Sequence, residues 1–269
     1  MRTLQGLFLA LLLLLAGMKS GIIKLATDYV NNKLCHLTQT KKVNLNNAKP
    51  LITFTFDDFP ASAYTTGGAI LQKYNNKGTY YVAMGIRAAE NSTKLFDDTM
   101  LQQLVADGHE IASHSYGHIR CRGLDVGTLE SDFSKNQSEF SKVVPNYRLE
   151  NFSYPYGDVD PKAKRVVNGF YSSSRSIFSG INVGTADLNL LLANKLYSKT
   201  EPIDKIAALI EENNRKNGWL IFYTHDVEEN PSKYGCTPAY FEEAVKMAVA
   251  SGAEIVTVKQ ALEKIKGSN

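Results

Sequence analysis

The 269-residue chain predicts an α/β fold: a distorted (β/α) barrel of seven or eight parallel strands in a single domain. Three observations carry this reading. From Leu51 onward, short apolar or β-branched runs alternate with helical patterns and no low-complexity break intervenes, as a parallel sheet requires. At this length a closed or distorted barrel accommodates the alternation better than an open doubly wound sheet. No Gly-x-Gly-x-x-Gly follows any strand, so a nucleotide-binding crevice has no support.

The elements follow in order. Leu51–Phe56 reads as a strand because β-branched and aromatic side chains dominate it, and Pro60 stops further pairing. Ala69–Tyr74 is helical and ends at Asn75-Asn76-Lys77-Gly78. Thr79–Met84 is a strand, Asp97–Ala106 a helix with Gly108 beyond its end, and Glu110–Ser113 a short strand. Thr128–Val144 is an amphipathic helix stopped by Pro145, and Asn151–Tyr154 a strand stopped by Pro155. Asp160–Asn168 is a helix with Pro161 in its first turn. Weak strands are expected at Gly169–Ser173 and Lys195–Ser198. The helix Pro202–Asn214 leads to the strand Trp219–Thr224, the helix Pro238–Ala250 to the strand Glu254–Val258, and a helix over Lys259–Lys266 closes the chain.

Before the barrel, Leu7–Gly17 is uninterrupted and apolar behind a singly basic start. It is shorter than the roughly 20 residues of a membrane span. Residues 1–20 are therefore expected to be a signal peptide or an N-terminal anchor, which makes the protein exported: secreted, periplasmic or envelope-associated. Residues 21–50 form a basic lead-in with a helix over Gly21–Leu34 and a connector over Asn44–Pro50; residues 51–269 form the catalytic domain. A formal charge of +3, with lysines and arginines scattered, points to no nucleic-acid partner. Contact with a membrane is expected only through the N-terminal segment, if it stays uncleaved. Three cysteines allow one bridge, expected between Cys121 and Cys236 because each lies a few residues past a rim histidine.

The chemistry lies where strands end. Asp57-Asp58 follows the first strand, His114-Ser-Tyr-Gly-His118 follows Glu110–Ser113, and His225-Asp226 follows Trp219–Thr224. Three of the five histidines fall just past strand C-termini, the rim on which a β/α barrel carries its catalytic groups. His114 and His118, four apart, would face one way on a helical turn and share a metal. One carboxylate with two imidazoles leaves open positions on a divalent ion. The second carboxylate is then free to act as base on an attacking water, and a separate histidine to protonate a leaving group. The pattern is metal-assisted hydrolysis of an amide or ester.

These residues also resemble the polysaccharide deacetylase family, carbohydrate esterase family 4. Its first motif matches Thr55-Phe56-Asp57-Asp58, its second His114-Ser115-Tyr116-Gly117-His118, and its last the strand end Phe222-Tyr223-Thr224-His225. The resemblance implies a distorted (β/α) barrel, with Asp57 as general base, Asp58, His114 and His118 as metal ligands, and His225 as general acid. It implies a hydrolase that removes acetyl groups from an N-acetylated or O-acetylated polysaccharide. The cofactor would be a divalent metal, Zn²⁺ first, with Co²⁺, Ni²⁺ or Mn²⁺ compatible with the same ligands.

The departures matter. Where the third motif has Arg-x-Pro-x-Gly, this chain reads Ser153-Tyr154-Pro155-Tyr156-Gly157. The Pro155-x-Gly157 turn is retained, with the Tyr156 N–H a candidate oxyanion donor, but the arginine that would hold the base is Ser153. Arg175, on the next strand's exit, is the candidate replacement. Phe59 stands where the family has glycine, and no partner for the acid histidine is identified. Tyr116, Tyr154, Tyr156 and Tyr234 flank the rim motifs and are candidates for stacking on sugar. Asn182 and Asp187 would border the cleft or simply shape their loop. His109, on the opposite rim, reads as structural. Two alternatives stay open: deacylation of another amide on a small or lipid-linked sugar, and a metal-retaining carbohydrate-binding protein without turnover.

Overall fold

Both faces of the main sheet are covered, so strands such as Leu51–Phe56 and Trp219–Thr224 are buried at every position rather than alternately. The computed structural model describes residues 27, 30, 31, 34–38, 40–90 and 95–267. The segment expected to be a signal peptide or anchor lies outside the described residues, as does most of the helix expected over Gly21–Leu34. The strands are β1 (Lys42–Asn44), β2 (Leu51–Phe56), β3 (Thr79–Val82), β4 (Glu110–Ser113), β5 (Asn151–Ser153), β6 (Ser173–Arg175), β7 (Thr185–Asp187), β8 (Asn194–Lys195), β9 (Trp219–Thr224) and β10 (Glu254–Ile255). The helices are α1 (Ala69–Lys73), α2 (Met84–Glu90), α3 (Asp98–Ala106), α4 (Val126–Val143), α5 (Pro161–Phe170), α6 (Ile203–Lys216), α7 (Pro238–Ala250) and α8 (Val258–Gly267).

Eight parallel strands make the barrel, in the order β6-β5-β4-β3-β2-β9-β8 with β10 beside β2. Strand β2 is central and pairs with β9 over all six residues. Its other edge is shared. The upper half, Thr55 and Phe56, pairs with β3, whereas the lower half, Leu51 and Ile52, pairs with β10. That fork is the distortion. The outer strands approach through Leu191, which bridges to Arg175 at the end of β6. Phe54 and Phe56 each pack on Phe241 of α7 with ring centroids 5.5 Å apart, and Phe54 stacks on Phe222 at 5.7 Å. Each such buried phenyl contributes about 2–3 kcal/mol. Asp97, Asp125, Asp160 and Thr237 accept the N-terminal amides of their helices, and losing any one of these caps costs about 1 kcal/mol.

The structure corrects several details. Helix α5 runs through Gly169 to Phe170, where a strand was expected, because Phe170 packs on Phe133 at 5.6 Å and prolongs the apolar face. An antiparallel pair, β1 with β7, lies outside the barrel and had no counterpart in the sequence reading. The lead-in is clamped by Lys164. Its buried ammonium donates to Cys35 O and Thr38 O, each at 2.8 Å, and to Asp187 Oδ2 at 2.6 Å. Asp187 is thereby assigned to this clamp. Asn182 bonds Leu192 and Trp219 backbone, so neither residue borders the site. The Cys121–Cys236 bridge does not form: all three cysteines are free and buried. Cys121 sits in the cluster around Phe133 and Tyr154, and Cys236 in the separate core around Phe54 and Phe241.

Candidate active site

The first motif turns sharply at the end of β2. Asp57 N–H still donates to Thr224 O at 2.9 Å, and the next two residues, Asp58 (φ 61°) and Phe59 (φ 49°), adopt left-handed backbone. The two carboxylates therefore meet different partners. Asp58 lies 25% exposed among imidazoles, with Oδ1 at 3.1 Å from His118 Nε2 and 3.5 Å from His114 Nε2, and Oδ2 at 3.7 Å from His225 Nε2.

His114 and His118 come together differently from the sequence expectation. Residues 114–118 do not form a helical turn; Ser115 (φ 62°) and His118 (φ 51°) make an irregular one. Asp132 of α4 holds it by accepting the N–H groups of Tyr116 (2.7 Å) and Gly117 (3.0 Å). Gly85 packs against it so closely that a Cβ there would sit 2.6 Å from Tyr116 O. The imidazole centroids end 4.9 Å apart.

One ligand atom from each of Asp58, His114 and His118 lies within 4.8 Å of the others. His114 Nδ1 is 2.8 Å from Ser153 O, a carbonyl that can only accept, so Nδ1 carries the proton and Nε2 presents a lone pair. Burial pushes the His114 imidazole down to about 4, so it is neutral at ordinary pH. Asp58 Oδ1 is buried without a well-aligned hydrogen bond. Burial works to raise the Asp58 carboxyl, but the contact with His118 and the pull of three imidazoles hold it well below the usual range. A carboxylate and two imidazoles converging in this way fit a divalent cation.

Asp57 faces the other way and is buried. Arg175 Nη2 donates to Asp57 Oδ1, and the same nitrogen lies 2.7 Å from Ser153 Oγ. Ser153 and Arg175 are register partners on β5 and β6, so the guanidinium is displaced by one strand from the position where the family carries it. Tyr81 and Tyr223 flank it, each ring centroid 4.9 Å from its carbon. Burial raises Asp57, but Arg175, with His114 and His225 behind it, reverses the effect and leaves its pKa lowered.

His225 ends β9. The following loop is tied by Asp226, which accepts from Ser232 N and Oγ at 2.5 Å each. Tyr234 lies 5.4 Å from the His225 ring. His225 Nδ1 is buried and has no hydrogen-bond partner among the described residues, in line with the partner the sequence lacks.

The third motif departs most from expectation. Tyr154 is buried, its hydroxyl engaged by Ser174 (3.2 Å) and Asn189 O (3.3 Å), so it cannot stack on a sugar. Pro155 is buried as the first residue of a 3₁₀ turn. Tyr156 (φ 58°) is 53% exposed, and its Oη lies 3.0 Å from His118 Nδ1. Sequence reasoning missed this hydroxyl and missed Arg120, whose guanidinium lies 4.0 Å from the Tyr156 ring centroid. No spacing signals either. His109 is structural as read: its Nδ1 accepts from Gly78 N–H at 3.0 Å on the opposite rim.

At its strand ends the barrel thus carries an Asp–His–His group that could hold a metal ion, with a second aspartate on an arginine and a third histidine beside it. Residues 44–170 match the sequence model of the family described as polysaccharide deacetylase. The chain is 30% identical over 100 residues to a peptidoglycan-N-acetylglucosamine deacetylase of Bacillus cereus, covering 37% of this chain and 43% of that one. Among solved structures it is similar to a family 4 acetyl xylan esterase from Clostridium thermocellum bound to cobalt. There the TM-score is 0.59 at 20% identity, over 81% of this chain and 92% of that one. It is also similar to a family 4 pseudoenzyme from Bacillus anthracis, with TM-score 0.57 at 13% identity over 81% and 67%. These structural likenesses establish the distorted-barrel fold.

Proposed function

We propose that this chain is a metal-dependent deacetylase of an N-acetylated or O-acetylated polysaccharide. The observation carrying the reading is the division of labour between adjacent carboxylates: Asp58 among imidazoles, Asp57 buried on Arg175. A divalent ion held by Asp58, His114 and His118, Zn²⁺ in the first instance, would supply Lewis-acid polarisation of the acyl carbonyl. The Asp57 carboxylate takes the proton of the attacking water, and Arg175 keeps that carboxylate ionised and fixed. The Tyr156 N–H is the oxyanion donor. His225 Nε2 delivers a proton to the departing nitrogen as the C–N bond breaks, leaving acetate and a free amine. The apolar run Leu7–Gly17 supports a place at the cell exterior or envelope. Similarity to a peptidoglycan deacetylase and to an acetyl xylan esterase supports an acetylated glycan as substrate.

One observation favours a second reading. With His225 Nδ1 lacking a hydrogen-bond partner among the described residues, no side chain fixes the ring of the acid, as suits a carbohydrate-binding protein that retains the metal without turnover. Acetate release from a panel of acetylated glycans with added Zn²⁺ or Co²⁺, for wild type and Asp57→Asn, separates the two. Release that disappears in the variant supports the deacetylase. Stoichiometric metal with no acetate from any glycan refutes it, and release of another acid points to a different acyl group.

A further inference from the structure

The two imidazoles of the metal group are held by different kinds of partner. His114 is buried, and its Nδ1 meets a backbone carbonyl, Ser153 O, at 2.8 Å. His118 sits further out, with 15% of its side chain exposed, and its Nδ1 meets a side chain, Tyr156 Oη, at 3.0 Å. Its Nε2 lies 3.1 Å from Asp58 Oδ1. A carbonyl can only accept, which fixes the tautomer of His114; a phenol can donate or accept, so it suits His118 with the proton on either nitrogen. An imidazole that offers Nε2 to a cation carries its proton on Nδ1, and that proton needs an acceptor to hold the ring in place. The Tyr156 hydroxyl is within reach to be that acceptor.

Other contacts keep the hydroxyl there. The Tyr156 ring stands edge-on to the His118 ring at 4.5 Å. The Arg120 guanidinium lies 4.0 Å from the Tyr156 centroid and is itself paired with Asp158 at 3.3 Å, so the ring is covered by a side chain that is anchored in turn. The backbone is set as well. Tyr156 (φ 58°) and Gly157 (φ 64°) are both left-handed, and a Cβ at Gly157 would sit 2.2 Å from Ile177 Cγ1. A non-glycine residue stays in that conformation only where its surroundings hold it. Here the surroundings of the side chain include a metal ligand.

We propose that Tyr156 is a positioning residue for the metal group: its hydroxyl accepts the Nδ1 proton of His118 and so turns the Nε2 lone pair toward Asp58 and the ion. One residue then serves the site twice, through its backbone N–H as the oxyanion donor and through its side chain as the partner of a metal ligand. This rests on the metal-binding part of the deacetylase reading, and the experiment separates the two. Zinc affinity, measured by competition with a chromophoric chelator, reads the role without turnover. Tyr156→Phe keeps the ring, the Arg120 contact and the backbone N–H and removes only the hydroxyl. It is expected to bind zinc about tenfold more weakly than wild type, as loss of a ligand's outer partner does. The visible absorption of its cobalt-loaded form is expected to differ from that of wild type, because the ring of a ligand is no longer fixed. Tyr156→Leu removes the ring as well. Equal zinc affinity in wild type and Tyr156→Phe, with cobalt spectra that overlay, overturns the proposal. A loss that appears only in Tyr156→Leu also overturns it, assigning the effect to ring packing. Wild type that binds no zinc overturns it together with the metal-dependent reading. Zinc bound by wild type and weakened in Tyr156→Phe, with no acetate from any glycan, supports it and overturns deacetylation alone.

Discussion

Replacing Arg175 with methionine tests the displaced guanidinium most directly. The Arg175 side chain is fully buried and that of Asp57 is 6% exposed, so the variant strands a carboxylate in the interior. Breaking a buried pair from one side costs about 3–5 kcal/mol, and for a domain of this size that lowers the melting temperature by on the order of 10 °C. The effect depends on pH with a definite sign. In wild type the Asp57 carboxyl lies below its ordinary 3.8, burial being outweighed by Arg175. The pairing therefore stabilises the fold above that value, and the stabilisation is lost as pH falls through the depressed pKa. Without Arg175, burial raises the group, so the variant loses stability as pH rises past 4. The gap between the two proteins should be smaller at pH 3.5 than at pH 7, measured by denaturant titration. Adding Asp57→Asn to the variant removes the stranded charge and should recover more than 1 kcal/mol of it. In kcat/KM the acidic limb of Arg175→Met should move up by about one pH unit or more, with zinc stoichiometry unchanged. A variant that unfolds with the wild-type midpoint at pH 7, or whose pH profile overlays that of wild type, refutes the reasoning.

Two further outcomes follow from other sites. His109 is buried as a neutral acceptor and its pKa falls from 6.5 to about 4, desolvation being the main cause. Its contribution is complete above about pH 6.5 and is lost as pH falls toward 4, amounting to about 3 kcal/mol at most. His109→Gln should flatten the stability difference between pH 7.5 and pH 5, which chemical denaturation reads directly. For the metal group, Zn²⁺ at a hundredfold its dissociation constant should stabilise wild type by about 2.7 kcal/mol. A chelator should reverse the shift and Asp58→Asn should abolish it, so an equal zinc-induced shift in Asp58→Asn would remove Asp58 from the ligand set.

The strand ends were legible in the sequence because a parallel sheet writes each strand as a bounded apolar run, and the polar residues after it fall on one rim. That logic located Asp57, Asp58, His114, His118 and His225, which the fold brings to one place. It could not show that Tyr154 turns inward, since one residue of a three-residue strand exit fixes no direction. Nor could it anticipate β1 and β7, each only three residues long and paired across the chain, or Lys164, whose three acceptors lie on remote segments. Arg175 was a candidate from the missing arginine alone. The register of β5 and β6 is what sets it beside Ser153.

The backbone itself marks the site. Among the described residues, eight that are not glycine have positive φ. Asn75, Asn146 and Asn217 lie away from the site and are of the type that tolerates that region. Asp58, Phe59, Ser115, His118 and Tyr156 fall in the three rim motifs, where strain of about 1–2 kcal/mol per residue must be held by the surroundings. Phe59 shows how. A glycine would take φ 49° without strain, yet here the side chain is buried, stacked on Phe96 at 5.1 Å and edge-on to Tyr80 at 5.1 Å. Burying a phenyl contributes about 2–3 kcal/mol, more than the strain removes. The aromatic contact can therefore hold the bend that aims Asp57 at Arg175 and Asp58 at the imidazoles, so the departure from the family's glycine leaves the geometry of both carboxylates in place.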